Sequence, residues 1–315
     1  MCDVLVKTTL LMLVAAVLTR RSRHATAADA HRLWLVVLFS PLLVIAASAA
    51  LPPVAFLIPR VDVARAAAGV RAEWLVMAYG VVAVVLLGRI GAGLWAVGTL
   101  RRQARPLGRA DLARLRRLAG EPRLDLREAD LLVPVTAGVV RPIVILPRGW
   151  RGLSLAALTA ILRHEAAHVR RKDCAVALAA AVIEAAFWFS PAVWVASSRV
   201  RWFAETACDA EAEQGMASGE YAAELLELCA GWAGARSPRY AITAGAETHV
   251  ARRIRLLIDG MGSSGRRGPL LPAAIVLVLL ATVLSTAVRV SASRHIESSG
   301  WGFDHEFIHP HQHGH

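Results

Sequence analysis

The chain of 315 residues is 56% hydrophobic, with a formal net charge of +12 and a mean hydropathy of +0.48. This apolar excess excludes an ordinary soluble domain, and a basic balance on such a chain points to anionic lipid headgroups and cytoplasmic loops before nucleic acid. Cys2, Cys174, Cys208 and Cys229 show no paired spacing, which argues against a disulfide framework or a thiolate metal site.

About 20 apolar residues cross a bilayer core. Val4–Thr19 is short for that and carries Lys7, whose long side chain can snorkel. A signal peptide is the alternative there. Against it, no small-residue cleavage site precedes Arg20-Arg21-Ser22-Arg23, and another apolar run follows. Leu33–Leu51 is a clear span ending at Pro52-Pro53. Trp74–Leu100 is a second, with Trp74 and Trp95 as interface anchors and Arg89 inside it, and Leu270–Val288 is the last. Arginines crowd residues 20–32 and 101–117, and Arg266-Arg267 precede the last span. The positive-inside rule places these three regions in the cytoplasm, and both termini and residues 52–73 outside. The stretch 101–117 lacks interleaved aromatics, so no direct nucleic-acid contact is expected.

A polar module, residues 101–268, lies between the third and fourth spans. "LLVPVTAGVVRPIVILP", residues 131–147, is β-branched and punctuated by glycine and proline, which predicts two short strands with a turn near Gly138. Pro142 is compatible only with an edge strand, and an edge strand beside a protease site can pair with substrate backbone. The bland alternative is a structural hairpin.

"ILRHEAAHVRRKD", residues 161–173, predicts a helix capped by Ser154. At i and i+4, His164 and His168 share one face and can ligate one zinc ion, with Glu165 placed to deprotonate the attacking water. Alone, the motif also fits a surface helix that happens to carry two histidines. "RWFAETACDAEAE", residues 201–213, offers a third ligand, because Glu205 and Asp209 again lie four apart. Glu205 completes a two-His, one-Glu set that leaves a position for water, and Asp209 can orient a ligand histidine through its other ring nitrogen. An acidic solvated helix is the competing reading, and Cys208 reads as a packed core thiol. Residues 174–200 look like a further span, which would put His168 and Glu205 about 30 Å apart. Ser190-Pro191 breaks that run and predicts a helical hairpin returning Glu205 to the histidines.

The succession HEAAH, RRKD, FWFSP and ETACD resembles the M56 peptidases, the zinc-protease sensor–transducers of the BlaR/MecR type, and with "TAGVVRPIVILP" the likeness extends over residues 1–290. The resemblance implies a cytoplasmic gluzincin-like domain holding one Zn2+ per chain through His164, His168 and Glu205, with Glu165 as general base. It also implies a partner, a small winged-helix repressor of the penicillinase-repressor type. Only about 25 residues follow the last span, so a penicillin-binding sensor domain is not expected. That tail holds His309, His311, His313 and His315 at alternate positions; it reads as a disordered polar terminus or as a binder of Cu, Ni or Zn ions.

The expected fold is mostly α. Residues 1–100 form three transmembrane helices, 101–268 an inserted α+β zinc-protease domain, 269–289 a fourth helix and 290–315 an external His-rich tail, all in a multi-pass cell-membrane protein in contact with lipid. The expected function is a metalloendopeptidase that cleaves a cytoplasmic repressor, and itself near residues 260–268, in response to an envelope signal. The rivals are a quality-control protease resembling the M48 class and a non-enzymatic metal-binding scaffold. Tyr221, Tyr240 and His249 are unranked candidates for stabilising the transition state.

Overall fold

Three long helices open the chain in a computed structural model: α1 (Cys2–Arg21), α2 (Ala27–Ala50) and α3 (Ala72–Gln103). The structure describes residues 2–21, 26–50, 54–57, 72–214, 219–234, 251–257 and 288–291, with single positions 216, 272 and 276. Among these, two helices are long and apolar enough to cross a membrane, Ala27–Ala46 and Glu73–Gln103. α1 has Asp3, Lys7, Arg20 and Arg21 among its 20 residues and is not one of them. Leu270–Val288 lies almost wholly outside the described residues. Two of the four expected spans are therefore present as such helices. Strand β1 (Val54–Leu57) pairs in parallel with residues 288–291 near the other end of the chain.

The module begins where α3 gives way to a four-stranded sheet of order β2 (Arg105–Pro106), β3 (Leu126–Ala129), β5 (Ile143–Pro147), β4 (Val135–Ala137). β3 and β5 run parallel and the outer pairings are antiparallel. The strands expected within 131–147 are β4 and β5, joined through Gly138 at φ 108°. Pro142 stands just before β5, which is interior; the edges are β2 and β4, not the strand that follows the proline. A proline outside the ladder costs no pairing. Between β2 and β3, α4 (Arg109–Ala119) stops at Gly120, whose left-handed φ of 67° lets the next amide reach back to Arg116 O at 3.1 Å. α4 and the sheet close with the next helix over Leu115, Leu126, Val144, Leu146, Trp150, Leu158 and Leu162, all buried.

That next helix, α5 (Leu155–Arg171), starts where Ser154 Oγ accepts the Ala157 amide at 2.9 Å, as its N-cap position predicts. It ends at Lys172, the one non-glycine with positive φ (58°) among the described residues. The left-handed turn there lets α6 (Asp173–Ala186) leave in a new direction. The chain breaks at Phe187–Ser190, and α7 (Pro191–Glu213) starts with proline at its first position, where the missing amide costs nothing. Residues 174–200 are thus a hairpin. Its 14-residue first arm is about 21 Å long, too short for a hydrocarbon core of about 30 Å. It packs through Ala180, Ile183, Phe187, Val193, Ala196 and Val200 on Leu33, Trp34, Val37 and Leu38 of α2 and Leu11 of α1. At its tip, Ala186 O accepts from Tyr79 of α3 at 2.9 Å. α8 (Glu220–Gly234) and a helical turn at 251–257 cover the opposite end of α5 and α7 through Tyr221, Ala222 and Leu257.

Reporter fusions give the topology a direct check. Fusions after Ser22, within 101–130 and after Gly219 are expected to read cytoplasm, and fusions near Gly69 and after Ser293 the outside. An external reading after Gly219 would make the hairpin a span and break the single-site arrangement.

Candidate metal centre

The helical period of α5 brings the Nε2 atoms of His164 and His168 to 3.1 Å, with the rings edge to face. α7 packs against α5 and carries Glu205 to the same point: Oε2 lies 3.6 Å from His164 Nε2 and Oε1 3.6 Å from His168 Nε2. Ligand atoms bound tetrahedrally at about 2.0–2.1 Å from zinc stand about 3.3 Å apart, so this donor triangle has the size and the chemistry of a zinc site. The histidine side chains are 13% and 14% exposed and Glu205 39%, so the group opens to solvent on its carboxylate side.

Each histidine is held by a second residue through its far nitrogen. Asp209 Oδ1 lies 3.1 Å from His164 Nδ1, the role its spacing from Glu205 suggests, and Tyr221 Oη lies 3.2 Å from the same nitrogen. Tyr221 donates to Asp209 Oδ1 at 2.7 Å. Asp173 Oδ2 accepts from His168 Nδ1 at 2.8 Å. Asp173 opens α6, and the left-handed turn at Lys172 swings its carboxylate back beside the end of α5. Such outer partners fix the ring orientation and tautomer that a ligand histidine needs. Cys208 is fully buried, as expected of a core thiol, but its Sγ also lies 3.3 Å from His168 Nδ1 and 3.5 Å from Asp173 Oδ2.

Arg253, in the 251–257 turn, ties the carboxylates together. It donates to Asp209 from Nε at 2.7 Å and Nη2 at 2.6 Å, and its Nη1 lies 2.8 Å from Glu205 Oε2. Burial opposes the charge on each carboxylate, but hydrogen bonds and nearby positive charge outweigh it. His164 and Arg253 bring Glu205 down to about 2, and Arg253 and His164 hold Asp209 well below the usual range. Burial likewise opposes a charged His164, yet Asp209 and Glu205 push it up to about 10. Burial and then the Asp209 charge raise Tyr221, so it stays a phenol and a donor. Burial, then Asp173, keeps Cys208 a thiol. His164, Asp209, Glu205 and Arg253 thus form one cluster of mutually stabilising charges, and a histidine binds a metal ion only as the neutral imidazole. Glu165, on the same helix, takes a 2.5 Å hydrogen bond from Thr136 Oγ1 on β4.

His164, His168, Glu205 and Asp209 thus converge, and so does Tyr221; Tyr240 and His249 lie outside the described residues. Sequence reasoning missed Asp173, Arg253 and Thr136. Asp173 closes the motif stretch itself, and its place just after a basic run was the available signal. Arg253 is one of several arginines in "ARRIRLL" and had none.

Residues 61–257, more than half of the chain, match the family model described as BlaR1 peptidase M56. The regulatory protein BlaR1 of Bacillus licheniformis is 34% identical over 76 residues, which cover 24% of this chain and 13% of that protein's length. The matched segment takes in both helices that carry the donor triangle, strand β4 and the arginine that joins Glu205 to Asp209, and by that match the chain belongs to the M56 peptidase family.

Proposed function

We propose that this M56 peptidase is a zinc metalloendopeptidase of the cell membrane that transmits an envelope signal by cutting a cytoplasmic winged-helix repressor. The single observation that carries the reading is the triangle of His164, His168 and Glu205, with edges of 3.1, 3.6 and 3.6 Å. A zinc ion held there supplies Lewis acidity toward a peptide carbonyl and the attacking water. The chain's own residues do the rest. Glu165 takes the proton of the attacking water on a carboxylate oxygen and returns it to the leaving nitrogen. Asp173 and Asp209 hold the two imidazoles in the ligand tautomer through Nδ1. Arg253, whose Nη1 reaches Glu205 at the open side of the triangle, borders the pocket with a donor where negative charge develops on the scissile carbonyl, while Tyr221 is engaged with Asp209 behind His164. β4, as the sheet edge nearest Glu165, is the strand an extended substrate would pair with, displacing the Cys174 thiol from the Thr136 carbonyl.

The test combines the purified full chain with zinc and a winged-helix repressor of the penicillinase-repressor type, with and without 1,10-phenanthroline. Chelator-sensitive cleavage at one bond is expected. An intact repressor beside degraded misfolded membrane proteins would instead indicate a quality-control protease, and signalling that survives loss of Glu165 would indicate a scaffold.

Metal content separates the roles of the residues. Asp173→Ala, which removes the carboxylate partner of His168 Nδ1 together with its contacts to Arg171 and Cys208, is expected to weaken zinc binding about 10–100-fold. His164→Ala and Glu205→Ala should weaken it further still, by direct loss of a ligand. Titration with a competing chelator measures all three, and zinc affinity unchanged in Glu205→Ala would remove Glu205 from the ligand set.

A further inference from the structure

The edge strand next to the pocket is gripped from two sides, by the general base and by a membrane helix. Thr136 sits at the middle of β4, with Oγ1 2.5 Å from Glu165 Oε2 and 3.3 Å from Glu165 O. A hydroxyl has one proton, and the shorter contact to the carboxylate takes it. The Thr136 backbone is fixed in turn: its register partner is Val144 of the interior strand, and Cys174 Sγ of α6 reaches its carbonyl at 3.5 Å. Two residues on, Gly138 turns the chain at φ 108°, and the guanidinium of Arg101 fills the space above it. A Cβ at Gly138 would overlap that guanidinium and approach Arg141 O to 2.9 Å, so the turn requires glycine for space as well as for φ. Arg101 Nη1 donates to Arg141 O at 2.7 Å, and its own carbonyl accepts from Arg127 of β3 at 3.3 Å. Arg101 belongs to the last turn of α3, one of the two helices able to cross a membrane.

We propose that Thr136 is a positioning residue for Glu165, and that α3 sets it through the contact of Arg101 with the β4–β5 turn. A free glutamate side chain samples several rotamers, and only some face a substrate-bound water. The Thr136 hydroxyl engages one carboxylate oxygen and leaves the other as proton acceptor. Gly138 is only two residues beyond Thr136, and backbone does not stretch, so displacement of the end of α3 is passed to the hydroxyl. A shift of a fraction of an ångström is enough to loosen a hydrogen bond, which couples the position of a membrane helix to the geometry of the base. This inference rests on the reading of Glu165 as general base.

The test uses the full chain in detergent, with self-quenched fluorescent casein as substrate. Thr136→Val, which keeps the shape and removes the donor, is expected to lower kcat about 100-fold with KM and zinc content unchanged. Thr136→Ser keeps the hydroxyl and should restore most of the loss. Arg101→Gln should lower kcat less, and its effect should largely vanish when Thr136 is already valine. In the metal-free protein, the thermal midpoint shifts of Thr136→Val and Glu165→Ala should be non-additive, since each removes the same hydrogen bond; this cycle decides the contact whether or not casein is cut. Additive midpoint shifts, or a serine variant as impaired as valine, would overturn the positioning role. Arg101→Gln and Thr136→Val effects that simply multiply would overturn the link to α3. Glu165→Gln serves as the control: wild-type turnover in that variant would sink the general-base reading itself, whereas an inactive Glu165→Gln beside a fully active Thr136→Val would sink only this inference.

Discussion

Glu165→Gln is expected to abolish proteolysis while leaving zinc content at the wild-type level. The carboxylate is bonded to Thr136 and not to His164, His168 or Glu205, so its loss leaves the donor triangle intact. An amide of the same shape cannot take a proton from water. Removing a positioned general base costs about 10²–10⁴-fold in rate. Zinc stoichiometry measured beside the initial rate on a natural substrate checks both halves. Wild-type turnover would show that another group takes the proton, and lost zinc would make Glu165 part of the metal site.

Arg253→Leu has the largest expected effect on stability. Asp209 is 3% exposed and Arg253 12%, and the guanidinium meets both Asp209 oxygens as well as Glu205. Removing it leaves a buried carboxylate without its main counter-charge, and breaking a buried pair from one side costs about 3–5 kcal/mol. Chemical denaturation of the metal-free protein in detergent is the measurement. Arg253→Leu combined with Asp209→Leu should recover part of this loss, because no lone charge is then buried. It should not recover zinc affinity, because His164 loses the carboxylate partner of its Nδ1 and keeps only the Tyr221 hydroxyl there. A single-variant loss below about 1 kcal/mol would mean that water reaches Asp209 and that the cluster is screened.

The parts of the site that repeat along one helix were legible in the sequence. His164 and His168, and Glu205 and Asp209, lie four apart, and four residues is close to one helical turn, so their shared faces follow from the period alone. Ser154 as a cap and Pro191 as a helix start are equally local, because each acts on amides within one turn. The hairpin at 174–200 also followed from sequence: one proline in an apolar run, together with the need for three ligands on one side of a membrane.

The sequence by itself therefore determined two apolar helices long enough to cross a membrane, the helix carrying the two histidines, the glutamate that joins them and the break that returns it. Beyond Asp209, tertiary structure alone decided what surrounds that triangle. Tyr221 comes to His164 from 57 residues away, Arg253 to Asp209 from 44 and Thr136 to Glu165 from 29. Nothing periodic connects such positions, and threonine, tyrosine and arginine are common enough that none marks itself. Asp173 is close in sequence to His168, yet its role depends on one left-handed residue, Lys172, which no side-chain pattern announced. The edge strand was misplaced for a related reason. A proline shows where a ladder bond is missing, but which strand lies outermost is settled by the order in which the strands pair. Spacing along a helix is fixed by backbone geometry, which every sequence shares. Contacts between separate elements are fixed by how those elements pack, and that depends on the whole chain at once.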